Sequence, residues 1–322
     1  MKIWFLRFGM VIGLAILFLS FVNASWLAPA PQGQLKLIAN RAAHPLPDLG
    51  ADANGCPGAR IAGTRHSFIA NTQPSIAQAF AKSASMVSVD VRRTGDDRLV
   101  LFEDSTLDCR TDGSGTIADT EMDRMRALDA GYGYTPDNGR TFPLRGMGNG
   151  LIMAVDDLFI QNYDAPFLFI MHGEARDADL LHAAFERAGI EIEDRYGFFG
   201  SEAAVRRMRE LAPDAWTITE TEIRRCTSDY LRTGWTSFVP ESCRNGTIAV
   251  PLNYQWYMWG WPNRLIARME SVGARIIVIG DYEEGEPFRG VTDAQRLTSV
   301  PESFNGYILV DDIMTIGPAL RN

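Results

Sequence analysis

Short runs of β-branched and large apolar residues recur along the chain, and stretches with apolar residues every three or four positions fall between several of them. The short runs predict strands at 36–41 (KLIANR), 86–91 (MVSVDV), 167–172 (FLFIMH), 196–200 (YGFFG), 215–219 (AWTIT), 247–252 (TIAVPL), 275–279 (RIIVI) and 307–311 (YILVD). The helical spacing predicts helices at 75–85, 176–188, 202–211 and 262–272. Strands alternating with helices in this way predict an α/β protein with a (β/α)8, or TIM, barrel. One further apolar run, 99–102, follows the second strand after only RRTGDD. That is too short for a crossover helix, so it predicts a hairpin folded back on the second strand, with Glu103 and Asp104 in the polar loop beyond. The segment 42–73, rich in Pro, Gly and Asp, predicts a long loop that covers or shapes a site.

The N-terminus departs from this pattern. Lys2 and Arg7 precede an apolar run from Phe8 to Val22, followed by NASWL and then APAPQGQ. Two readings stand. The run has the length of a signal-peptide core, with Val22-Asn23-Ala24 as a small-residue cleavage site. Extended through Leu27 it reaches the roughly 20 residues of a membrane-spanning anchor, with Trp26 at the interface, and this reading is preferred. Both place everything after about residue 28 on the exported side. The expected division is 1–27 signal or anchor, 28–34 linker and 35–322 barrel domain.

The chain has 322 residues, 46% of them hydrophobic, enough for one large core. A formal charge of −9 without a basic stripe gives no support to nucleic-acid binding. The four cysteines lack CxxC spacing, which argues against zinc. In an exported domain they are expected as disulfides: Cys226 with Cys243 across a loop of modest length, leaving Cys56 with Cys109.

Several stretches resemble the glycerophosphodiester phosphodiesterase family, in particular an exported bacterial branch. LIANRAAH stands where the family reads IAHRG, ANTQPSIAQAF for ENTxxSxxxAF, VSVDV for IELDV, and LFEDSTLDCRTDGSG for VFHDxTLDRTTxGxG. LDAGYGYTPDNGRTFPLRG and YMWGWPNRLIARM look like signatures of the branch itself. The resemblance implies a barrel of the phospholipase C-like phosphodiesterase type. It also implies two histidines acting as acid and base on a phosphodiester, with a carboxylate cluster holding a divalent cation, Ca or Mg, against the phosphoryl oxygens. Mapped residue by residue, the histidine positions are Asn40 and Glu103. Of the carboxylate positions, Ala70 and Ser88 have lost theirs and Asp90 keeps its own, as the remaining metal candidate. Where the family reads EIK, this chain reads Ile170-Met171-His172.

Asn40 cannot carry a proton near neutral pH, and one carboxylate is a poor site for a hard cation. Glu103 can replace a histidine only if its pKa is raised, by an apolar pocket or by Asp104 as a neighbouring anion. His44 and His172, with Asp90, Glu103 and Glu174, are candidates for a different acid–base or metal centre. Arg41 is a candidate anion ligand, unless paired with Asp90. Trp256 and Trp259, in the aromatic run YQWYMWGWPNR, either pack at the barrel rim, the preferred reading, or grip a lipid tail or headgroups. His66 and His182 are assigned no role.

The expectation is therefore an exported, membrane-associated phosphodiesterase-like protein whose hydrolysis is lost or strongly reduced and which needs no cofactor. It would be anchored in the inner membrane with its domain in the periplasm, or secreted or periplasmic after signal cleavage. It would act by binding a phosphorylated or lipid-like ligand or a membrane protein partner. Two alternatives are a divergent but active phosphodiesterase of lipid metabolism and a structural accessory subunit of a membrane complex.

Overall fold

The structure is a computed structural model and describes residues 2–48, 56, 59–161 and 164–320. The chain opens with helix α1 (Lys2–Asn23) and strand β1 (Lys36–Ala39). Next come α2 (Gln73–Ala81), β2 (Met86–Arg93), β3 (Leu99–Leu101), α3 (Met122–Arg126), α4 (Val155–Ile160), β4 (Phe167–Met171), α5 (Ala175–Ala188), β5 (Tyr196–Gly200), α6 (Glu202–Leu211) and β6 (Trp216–Ile218). It continues through α7 (Glu220–Thr233), β7 (Thr247–Pro251), α8 (Asn263–Glu270), β8 (Arg275–Ile279), α9 (Ala294–Leu297), β9 (Tyr307–Val310) and α10 (Ile313–Ala319).

Strand order in the sheet is β6-β5-β4-β2-β1-β9-β8-β7, with β3 off this path and paired antiparallel to β2 through Val91–Leu101, Arg92–Val100 and Arg93–Leu99. Leaving β3 aside, this is the cyclic neighbour order of a (β/α)8 barrel. Most strands are largely buried, β7 along its whole length and β9 on alternate residues, so most read as near-continuous apolar runs. The exception is β2, where buried Ser88 and Asp90 alternate with Val87, Val89 and Val91 and so share one face.

By compactness the chain divides into two units. One comprises Met1–Lys36, Glu220–Arg289 and Gln295–Ile308, the other Leu37–Thr219, Gly290–Ala294 and Leu309–Asn322. The second holds a satellite core around Ile69, Leu107, Met125, Tyr134 and Ile152, formed by the loops that follow β1 and β3. In the first, α7 is a helix the periodicity reading did not predict. Only its short apolar stripe, Ile223, Cys226 and Tyr230, is buried, and charged residues fill the rest.

The segment 28–34, expected as a linker, is tied down within the first unit. Ala28 is buried, and the Asn305 side-chain amide donates to the Gln32 carbonyl at 2.8 Å. The disulfides Cys56–Cys109 and Cys226–Cys243 are both present.

Candidate functional site

The end of β1 carries the first family position. The Asn40 backbone N–H donates to the Val310 carbonyl at 2.8 Å, and its side chain bridges two others. Nδ2 donates to Asp311 Oδ1 at 2.9 Å, while Oδ1 accepts from Ser88 Oγ at 3.0 Å. Ser88 Oγ in turn accepts from the Arg41 backbone N–H at 2.9 Å, and Asp311 Oδ2 accepts from the Gly290 N–H at 2.9 Å. At the positions where the resemblance implies a histidine and a carboxylate, Asn40 and Ser88 are two neutral groups that bond each other.

Asp90, buried on β2, has both oxygens engaged. Oδ2 accepts from Asn71 Nδ2 at 2.9 Å, Oδ1 lies 2.6 Å from His172 Nε2, and the Asp90 N–H donates to Asn71 Oδ1 at 3.0 Å. Burial alone would raise the Asp90 pKa. The His172 hydrogen bond, the Arg41 charge and Asn71 hold it below the usual carboxylate range instead. His172, just past β4, remains partly open to solvent.

Glu103, at the second histidine position, lies between two guanidiniums. Its Oε2 meets Arg41 Nη1 at 2.5 Å and also Arg110 Nη2. Arg110, itself buried, reaches Asp104 Oδ2 at 2.9 Å and the Tyr134 hydroxyl at 3.2 Å, and Arg92 Nε donates to the Glu103 carbonyl at 2.6 Å. Burial pushes the Glu103 carboxyl up, but Arg110 and then Arg41 outweigh it and hold it low. This reverses the raised pKa on which an acid–base role for Glu103 depended. Asp104 supplies no anion to it, because it faces the same arginine. Arg41 is paired with Glu103 rather than Asp90 as an ion-pair partner.

The structure also places His44 away from solvent. It is buried, its Nδ1 lies 3.3 Å from the Ala42 carbonyl, and its Nε2 has no partner. Burial, helped by the Arg41 charge, pushes its pKa down to about 4. Glu174 precedes α5 and makes no side-chain cap there. Of the five proposed acid–base residues, the structure brings Asp90 and His172 into contact and pairs Glu103 with arginines. Arg41, Ala42 and Asn71 all have left-handed backbone (φ 54°, 63° and 60°), an unfavourable conformation for residues other than glycine that concentrates at functional sites.

Arg110, Asn71, Asp311 and Arg92 were not singled out from the sequence. Arg110 and Asn71 lie inside motifs already matched, which was the available signal; Asp311 ends the last strand and becomes a partner only when β9 lies beside β1.

The aromatic run belongs to the first unit and splits in two. Trp259 Nε1 donates to the Leu231 carbonyl and Trp261 packs on Phe304, whereas Trp256 and Tyr257 project into solvent. The same unit contains an apolar cavity of about 330 Å³ lined by Leu231, Pro251, Tyr254, Met258, Tyr282 and Phe288. Next to Glu103 and Arg110, by contrast, a cavity lined also by Ala70, Asn71 and Tyr134 has about 10 Å³, room for one water.

A divalent cation prefers several oxygen ligands. Ala70 offers none, Ser88 is engaged with Asn40 and Arg41, and both Asp90 oxygens are occupied. Among the described residues no group of three or more His, Cys, Asp or Glu converges. The residues present do not fit the metal the resemblance implies.

The sequence pattern of the glycerophosphoryl diester phosphodiesterase family matches residues 62–182. Glycerophosphodiester phosphodiesterase 1 of Rattus norvegicus is 37% identical over 67 residues, 21% of this chain and 20% of that protein. The chain thus spans about a fifth to a quarter of the length of the curated relatives it matches. Among solved structures, a glycerophosphodiester phosphodiesterase from Agrobacterium tumefaciens has a TM-score of 0.60 at 17% identity, covering 90% of this chain and 100% of that one. An Oleispira antarctica phosphodiesterase solved with the product sn-glycerol-3-phosphate has a TM-score of 0.59 at 14% identity, covering 93% and 100%. Motif match and fold agree: residues 62–182 match the glycerophosphoryl diester phosphodiesterase family, and the chain has the fold of solved phosphodiesterases of that kind.

Proposed function

We propose that this protein is an exported, membrane-anchored member of the family in which metal-dependent hydrolysis has been lost and binding of a phosphorylated or lipid-like ligand remains. The observation that carries this reading is the position of Glu103. Where the family needs a proton carrier, a carboxylate sits ionised between Arg41 and Arg110, acting as an acceptor with no proton to give. Asn40 and Ser88 support the same reading, since together they satisfy each other and provide neither a base nor a metal ligand. Arg41, the more open of the two arginines that grip Glu103, is the group able to receive a phosphate. Export agrees with the two disulfides, and anchoring with the 20-residue apolar span Trp4–Asn23.

The test is hydrolysis of glycerophosphocholine and of bis(p-nitrophenyl) phosphate by the full chain with Ca²⁺, Mg²⁺ or Mn²⁺. No turnover above buffer is expected, while Glu103→Gln should tighten binding of sn-glycerol 3-phosphate by freeing the guanidiniums. Metal-dependent turnover abolished by Asp90→Ala overturns the reading. It would favour the second one, a divergent phosphodiesterase, for which the Asp90–His172 contact with a partly open imidazole is the supporting geometry.

A further inference from the structure

The first unit contains a buried arginine with no carboxylate beside it. Arg268, on α8, is 9% exposed, and its hydrogen-bond acceptors among the described residues are all neutral oxygens. Nη1 reaches the Tyr230 hydroxyl at 2.8 Å and the Gly234 and Trp259 carbonyls at 3.1 and 3.3 Å. Nη2 reaches Ser237 Oγ at 2.7 Å, and then two atoms at the end of α1: Asn23 Oδ1 at 3.0 Å and the Val22 carbonyl at 3.3 Å. The last carbonyls of a helix have no partner within it and carry the negative end of its dipole, so a cation there is favourable. The junction is reinforced on both sides. Asn23 Nδ2 donates to the Trp235 carbonyl at 2.9 Å, and Ser25 Oγ accepts from the Asn263 N–H, at the start of α8, at 2.8 Å.

Before this junction the described side chains of α1 are open to solvent. Side chains from Trp4 to Phe18 are exposed on every side of the helix, with a mean hydropathy of 2.3 over the span Trp4–Asn23. At 1.5 Å per residue it is about 30 Å long, the thickness of a bilayer's hydrocarbon core. Close in sequence to the residues that hold its end are large apolar side chains left open to solvent: Trp26 (80%) beside Ser25, Phe238 (66%) beside Ser237, and Trp256 (82%) and Tyr257 (67%) just before Trp259. Trp235 is also exposed, and its backbone carbonyl is one of the groups that grip Asn23. Trp and Tyr beside the end of a spanning helix are placed as membrane-interface anchors.

We infer that Arg268 is a socket for the carbonyl end of the anchor helix, and that Trp26, Trp235, Phe238, Trp256 and Tyr257 form a surface that rests in the headgroup layer of the bilayer. The occupant of this surface is lipid, because the helix leaving it is apolar all round and has the length of a span. The first unit is therefore fixed on the membrane by its joint rather than tethered by a flexible linker. Removal of residues up to Ala24 would take two acceptors from a buried guanidinium, so the joint also favours an uncleaved helix. The inference rests on the anchor proposed above and adds the joint and the lipid-facing surface to it.

The test uses the full chain in nanodiscs of phosphatidylcholine and phosphatidylglycerol, with a nitroxide label on Phe238→Cys or Trp256→Cys. Each label should collide more with oxygen than with a water-soluble nickel chelate. Arg268→Met, and separately Asn23→Leu, should reverse that preference while the helix stays in the bilayer. Asn23→Leu lies on the helix side, so it decides the matter should Arg268→Met fail to fold. Labels that favour the nickel chelate in the unmodified joint, or that are indifferent to both substitutions, overturn the inference while leaving the anchor intact. Intact mass of the extracted chain separates the two: a mature N-terminus near Ser25 removes the anchor and, with it, this surface.

Discussion

Arg110 and Arg268 are both buried arginines, in different units, and they are kept in opposite ways. Arg110 is compensated by charge, lying against Glu103 and Asp104 with the Tyr134 hydroxyl completing its contacts. Arg268 is solvated by six neutral oxygens, two of them from α1. A charge in low dielectric is tolerated only when paired or fully hydrogen-bonded, and the two sites are the two solutions. The difference shows in what each depends on. Arg110 is bound to carboxylates whose charge depends on pH, whereas Arg268 has many neutral acceptors that act together and suit a permanent joint.

The largest effect separating the two is expected from Arg268→Met. Deleting the guanidinium leaves several buried oxygens without a donor, and a loss of about 4 kcal/mol is expected, read as the shift in urea midpoint of the full chain in detergent. A change below 1 kcal/mol would show that the six bonds contribute little and that the two arginines are not alternatives of equal standing. Glu103→Gln should cost less, about 2 kcal/mol, because the amide still accepts a hydrogen bond while Arg110 loses its closest charge.

The sign of the pH dependence sharpens the comparison further. Glu103 has a folded pKa below its unfolded value, so its contribution is present above the unfolded carboxylate pKa and lost as pH falls through the folded one. Glu103→Gln should therefore flatten acid unfolding, and an unchanged acid limb would argue that the arginines do not depress this carboxyl. His44 gives the smallest effect near neutrality. Its folded pKa of about 4 lies below the ordinary 6.5, so it favours folding fully above 6.5 and loses that contribution as pH falls towards 4. At pH 5.5 the difference is about 1 kcal/mol, which His44→Phe should abolish, as seen by comparing urea midpoints at pH 7.5 and 5.5.

Much of the fold was legible before the structure. Strands such as 247–252 and 275–279 announce themselves because a parallel strand buried on both faces must be apolar nearly throughout. Helix α7 was missed because its buried stripe is short and interrupted by charged residues. In the site, the residue types at Asn40, Ala70, Ser88 and Glu103, where the resemblance implies histidines and carboxylates, could be read by position, since the presence of an imidazole or carboxylate is a property of one residue. Their partners could not. Glu103 between Arg41 and Arg110, and Asn40 between Ser88 and Asp311, are pairings across 62, 7, 48 and 271 residues of chain.

Sequence by itself therefore determined the strand pattern of the barrel, the apolar helix and which residue types stand at the positions where the resemblance implies proton carriers and metal ligands, because each follows from residue type and local period. Only the tertiary structure decided that Glu103 is held ionised, that His44 is buried, that the 28–34 segment is pinned and that Arg268 grips the end of α1. These depend on which distant groups share a low-dielectric space, and a pKa or a hydrogen bond is set by that neighbourhood rather than by the residue alone.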